Sequence, residues 1–190
     1  MIMDLKQWFE KGQTPQEYID EMETHKENLL KVYQGFTVPA SEKENLKQLA
    51  SKNLNVIVLT EDWCGDAMVN FPVLLRIAEA ADMDVRTLNR DENLELMDRY
   101  LTNGTSRAIP IFIFVDSDFN EQAVWGPRAP VVQQLVDEEK AKLPPRDHET
   151  FPEAQKEMIG RLSAQYTGSE AIWHEVFQSI KTTIMNQVQM

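Results

Sequence analysis

Cys64 is the one cysteine among 190 residues, and it lies in the run Glu61-Asp62-Trp63-Cys64-Gly65-Asp66-Ala67. Ahead of it, Asn55 to Thr60 reads Asn-Val-Ile-Val-Leu-Thr, a continuous β-branched and aliphatic run that predicts a strand buried on both faces. Behind it the pattern turns helical, with Val69, Leu74, Leu75, Ile77 and Ala78 as an apolar face. The thiol therefore falls at a strand-to-helix junction. A thiol reacts as thiolate, and a free cysteine has a pKa near ~8.5. At a helix start the unpaired N–H groups and the positive end of the helix dipole both favour the thiolate. Glu61, Asp62 and Asp66 add negative charge nearby and oppose that effect. A lone thiol excludes an intramolecular disulfide and a four-thiolate zinc site. His25, His148 and His174 lie in three separate segments with no paired ligand spacing, so no metal site is expected.

The elements that must position this thiol follow from periodicity. The first ~35 residues read as helix, with Thr14-Pro15-Gln16-Glu17 combining a capping box and a proline at the first helical position. Tyr18, Met22, Leu29 and Tyr33 recur at helical spacing, and Gly35 stops the run. A second helix is expected from Ser41, with Glu44 three residues on. After the helix that follows Cys64, which Pro72 should kink, Asp84 to Asn89 predicts a second strand. Asp91 is placed to cap a helix with Leu94, Met97, Tyr100 and Leu101 inward, ended by Asn103-Gly104. Ile109 to Val115 predicts a third strand with Pro110 near its start. Asp116 to Asn120 reads as a hairpin loop, and an edge strand then runs to Trp125 before Gly126-Pro127 breaks it. A helix over about 129–142 follows, then the boundary Leu143-Pro144-Pro145-Arg146-Asp147. Two further helices, about 151–166 and 169–188, complete the chain. Ile172, Val176, Ile180, Ile184 and Val188 make a stripe on the last that must be buried, against the rest of the chain or in a dimer.

Charge and composition narrow the partners. The chain has 19 Lys and Arg against 31 Asp and Glu, a net charge of −12. Nucleic acid and anionic membrane surfaces both need a cationic footprint, so neither is an expected partner. The start shows no cationic region followed by an apolar run, and no stretch approaches ~18 consecutive apolar residues. With a single thiol, a reducing, cytoplasmic location is the expectation.

The middle of the chain, strand–helix–strand–helix–strand–strand–helix over about 41–142, resembles thioredoxin. Trp63-Cys64-Gly65 stands where that family places its nucleophilic cysteine. Pro72 matches its kinking proline, and Leu88-Asn89 with Asp91 and Asn93 matches its pattern after the next strand. Ile109-Pro110 matches its cis-proline site and Gly126 its glycine after the last strand. The resemblance implies an α/β thioredoxin-like fold with a central mixed sheet flanked by helices. Residues 1–40 would be an N-terminal helical extension and 143–190 a C-terminal one packing on the 41–142 domain. It further implies that Ile109, before a cis proline, turns its backbone toward a groove where an extended substrate could pair with it. Trp63 would wall that groove, Met68 could line it, and Gly65, Asp66, Ala67 and Pro110 would shape it around Cys64.

Two departures from the family pattern agree with each other. The resolving cysteine is replaced by Ala67, and the buried aspartate six residues before the first cysteine is Val58. A dithiol enzyme clears its mixed disulfide with the second thiol, and this chain has none. The resemblance therefore implies a monothiol oxidoreductase in which Cys64 attacks the mixed disulfide of a protein with a small thiol. A second small-thiol molecule, the only cofactor-like species needed, would then release the enzyme. The alternative is a thioredoxin-fold binding or redox-sensing protein that has lost catalysis. A third reading, by analogy with monothiol glutaredoxins, is an iron–sulfur site shared by two subunits, which acidic neighbours disfavour. Expected partners are protein thiols or mixed disulfides and a small thiol, with the chain a monomer or homodimer.

Overall fold

The computed structural model describes residues 3–189. Four strands, β1 (Asn55–Thr60), β2 (Asp84–Asn89), β3 (Ile111–Val115) and β4 (Glu121–Trp125), form one sheet in the order β2-β1-β3-β4. β1 runs parallel to β2 and antiparallel to β3, and β3 is antiparallel to β4. The sheet is therefore mixed, and the fold is the α/β thioredoxin-like one with added terminal helices. Parallel neighbours need a long crossover, supplied here by α5 (Gly65–Ala80). β3 and β4 need only the Asp116–Asn120 loop, where the Asp116 carboxylate accepts from the Asp118 and Asn120 backbone N–H groups.

Strand alternation sorts the core into two clusters. Val56, Val58, Phe112, Phe114 and Trp125 face one side, in register across the sheet. They pack beneath α5, α3 (Lys26–Gly35) and α9 (Glu170–Gln187). Ile57, Leu59, Ile111, Ile113 and Val115 face the other side, under α1 (Leu5–Lys11) and α6 (Leu94–Met97). Both faces are covered, which is why β1 and β3 are apolar at nearly every position.

The N-terminal region is broken where a single long helix was expected. The chain forms α1, α2 (Pro15–Glu21) and α3, with Gly12 and Gln13 between the first two. Gln13 exchanges backbone hydrogen bonds of 2.9 Å with Thr87 on the β2 edge, a pairing that a continuous helix would forbid. The Thr14–Glu17 capping box forms as read. The helix expected from Ser41 begins instead as a 3-10 turn over Ala40–Glu42, and α4 runs Lys43–Ala50 with no side-chain cap. Asp91 caps no helix. It lies in a 3-10 turn, Arg90–Glu92, its backbone N–H donates to Glu61, and α6 is a single turn after Asn93.

The last three helices are α7 (Pro130–Ala141), α8 (Phe151–Gly168) and α9. The stripe on α9 packs within the chain, with Ile172 at its start only half-buried. Val176, Phe177, Ile180 and Ile184 are fully enclosed, and Trp173 and Val188 nearly so. Trp125 Nε1 donates to Ser179 Oγ at 2.9 Å and the Val124 backbone N–H to Gln187 at 3.1 Å, so α9 lies along the β4 edge strand. Gly35 is required by this packing: a Cβ there would come within 2.8 Å of the Trp173 ring. Among the described residues no helix is long and apolar enough to cross a membrane.

Candidate active site

The site is built where β1 ends. After Thr60 the chain turns through Glu61–Trp63, the Cys64 N–H donates to the Glu61 carbonyl at 3.2 Å, and Cys64 becomes the N-cap of α5. Its sulfur accepts from the Ala67 N–H at 3.4 Å, and its S–H donates to the Ile109 carbonyl at 3.5 Å. The Ile109–Pro110 peptide is cis, as the family resemblance implied. The Gly126–Pro127 peptide is cis as well, and Gly126 has φ +134°. A Cβ at Gly126 would collide with the Pro110 carbonyl oxygen, so the two loops beside Cys64 meet backbone to backbone.

Cys64 itself is buried, 8% exposed. Burial pushes its thiol up to about 11; the Ala67 N–H opposes this, the Asp66 charge adds to it, and Arg128 opposes it again. The helix-start effect is present but loses to desolvation. Of the three acids expected to oppose the thiolate, Asp66 does so, while Glu61 and Asp62 are engaged elsewhere. Asp62 turns away to accept from the Glu23 and Thr24 N–H groups, and Glu61 accepts from Asp91. Asp66 is held by Arg128, whose Nε and Nη2 reach its two carboxylate oxygens at 2.9 and 2.7 Å. Tyr166 of α8 donates to the same carboxylate at 3.0 Å, from 100 positions along the chain. Burial, then Asp66, pushes the Tyr166 phenol up, so it stays protonated and donating.

The motif residues take different places. Trp63 is half exposed beside Cys64, with the Arg90 guanidinium over its ring at 5.0 Å. Gly65 and Asp66 line a cavity with Cys64. Ala67 and Pro110 are buried, Ile109 is buried with its carbonyl on the thiol, and Met68 faces the core, 1% exposed, rather than any groove. Sequence reading missed Arg128 and Tyr166. The signal for Arg128 was its place just after Gly126-Pro127; nothing local marks Tyr166. The Asp66–Arg128 pair is largely shielded, with side chains 14% and 20% exposed. Replacing Arg128 by Met is expected to cost about 2–3 kcal/mol by stranding Asp66. Urea unfolding checks this, and a loss below about 0.5 kcal/mol would mean that water already solvates the pair.

A strand-to-helix cysteine facing a cis proline on a β2-β1-β3-β4 sheet defines a thioredoxin-class protein. The sequence matches the thioredoxin family profile over residues 12–142, and the chain belongs to that family. No curated protein matches it. Two crystal structures share its fold, each at 15% identity, TM-score 0.63 and 95% coverage of this chain. They are an HIV epitope scaffold, 99% covered, and a protein of unknown function from Pseudomonas aeruginosa, 98% covered.

Proposed function

We propose that the protein is a monothiol oxidoreductase that resolves mixed disulfides between proteins and a small thiol through Cys64. The observation that carries this reading is the seat of the sulfur, at the α5 N-cap with the Ala67 N–H on it and the Ile109 carbonyl opposite. Deprotonated Cys64 attacks the small-thiol sulfur, the Cys64–S bond forms, and the old S–S bond breaks with its electron pair leaving on the protein thiolate. That thiolate takes a proton from water. A second small thiol, as thiolate, then attacks the adduct, releasing Cys64 and a small-molecule disulfide. The net change converts the protein mixed disulfide and one free small thiol into the protein thiol and a small-molecule disulfide, so one protein cysteine suffices.

The test is turnover of a glutathionylated peptide with reduced glutathione. The expected rate rises about tenfold per pH unit from 7 to 10, because thiolate is the minor form below a pKa near 11. Cys64→Ser should abolish it, and a wild-type rate equal to that variant's would overturn the reading. Ala67→Cys places a second thiol in the first turn of α5, and insulin reduction should appear in that variant alone.

One observation favours a second reading, a non-catalytic binding or redox-sensing protein: the thiol is buried and rests protonated. That reading predicts slow capping of Cys64 by a small disulfide and no turnover.

A further inference from the structure

Part of the wall beside Cys64 comes from outside the family match. The match ends at residue 142. Met158, Leu162 and Tyr166 of α8 nevertheless line one side of a cavity of about 340 Å³, with Val136 of α7 beside them and Cys64 among the lining residues. Two contacts hold α8 in place. Tyr166 reaches Asp66 at the start of α5, and Arg161 pairs at 3.0 Å with Glu139 of α7, itself buried.

The volume is at the small end for ligand cavities, roughly 300–1,000 Å³, and suits a small molecule rather than a folded partner. Its charge runs against that of the chain. In a protein of net charge −12, the one acid lining the cavity is Asp66, already neutralised by Arg128. Lys140 lines it too, exposed and with no carboxylate partner among the described residues. The surroundings are therefore an apolar wall, the Cys64 residue at one end, and a cation without a counter-charge.

We infer that this cavity is the subsite for the small half of the mixed disulfide and that it selects a carboxylate-bearing low-molecular-weight thiol. Lys140 meets the carboxylate, Met158 and Leu162 cover the carbon skeleton, and the sulfur lies toward Cys64. The inference rests on the exchange reading above, whose reaction is unchanged by it. It adds that the C-terminal helices determine which small thiol is used.

The test is calorimetric titration of the full chain with S-methylglutathione, which carries the carboxylates and cannot exchange. Binding is expected, with Kd raised at least fivefold by Lys140→Glu. Ser163→Trp, which fills the cavity from a half-buried position, should abolish it. No binding up to about 20 mM, or a Kd that neither variant moves, would overturn the inference. Because no exchange occurs in this assay, the two readings fail separately. Binding through Lys140 without turnover of the glutathionylated peptide leaves the site and removes the exchange reading. Turnover with binding indifferent to Lys140 does the reverse.

Discussion

Alkylation of Cys64 in the folded protein is expected to be roughly 300-fold slower at pH 7 than that of a free cysteine, from thiolate fraction alone. The thiol is pushed up to about 11, against an ordinary value near ~8.5, so the ratio of thiolate populations sets this factor. The sign follows from the charge type. Ionisation creates an anion, burial disfavours it, and reactivity therefore rises with pH and levels off only above the shifted value. Denaturant removes the burial and should restore ordinary reactivity, with Cys64→Ser as the blank. The measurement is the pH dependence of iodoacetamide labelling followed by intact mass. A native midpoint at or below ~8.5 would show that the helix start outweighs desolvation after all. The same linkage acts on stability. The folded state prefers the protonated thiol, so this contribution is intact below the unfolded pKa and lost as pH rises toward about 11.

Removing residues 146–190 is expected to abolish cooperative unfolding of the remainder. Helix α9 covers β4 and one side of α5, and Val176, Phe177, Ile180 and Ile184 have no exposed surface. Without them Phe36, Phe112 and Trp125 would meet water on a face built for burial, and β4 would become a bare apolar edge. Circular dichroism melting of the truncated chain should show no sigmoidal transition. An intact, soluble monomer would mean that residues 3–145 carry a sufficient core. Phe177→Ala tests the same packing more gently. It should cost about 3–5 kcal/mol through lost burial and the cavity left beside Phe36, 5.7 Å away ring to ring. A cost under about 1 kcal/mol would mean that the helix repacks freely.

The two results concern features that differ in how far apart their residues lie. β1 and β2 run over the residues read from composition, because a β-branched run between turn residues is a local signal. The Thr14–Glu17 box and the break at Gly126-Pro127 are equally local. The misplaced elements are those where a distant group overrides a local preference. Gln13 leaves the helical pattern to pair with Thr87. Asp91 gives its N–H to Glu61 instead of capping a helix.

The candidate site divides the same way. Residue types showed that Cys64 is the one thiol, that it starts a helix after a buried strand and that no second thiol can resolve it, and the family resemblance added that it faces Ile109-Pro110. These depend on chain neighbours or on a family pattern carried by few residues. Only the tertiary structure decided that Cys64 is buried and rests protonated, that Asp66 is clamped by Arg128 and Tyr166, and that α8 walls the cavity beside it. Desolvation and ion pairing are set by everything that surrounds a group, and here much of that comes from up to 100 positions away, where periodicity carries no information.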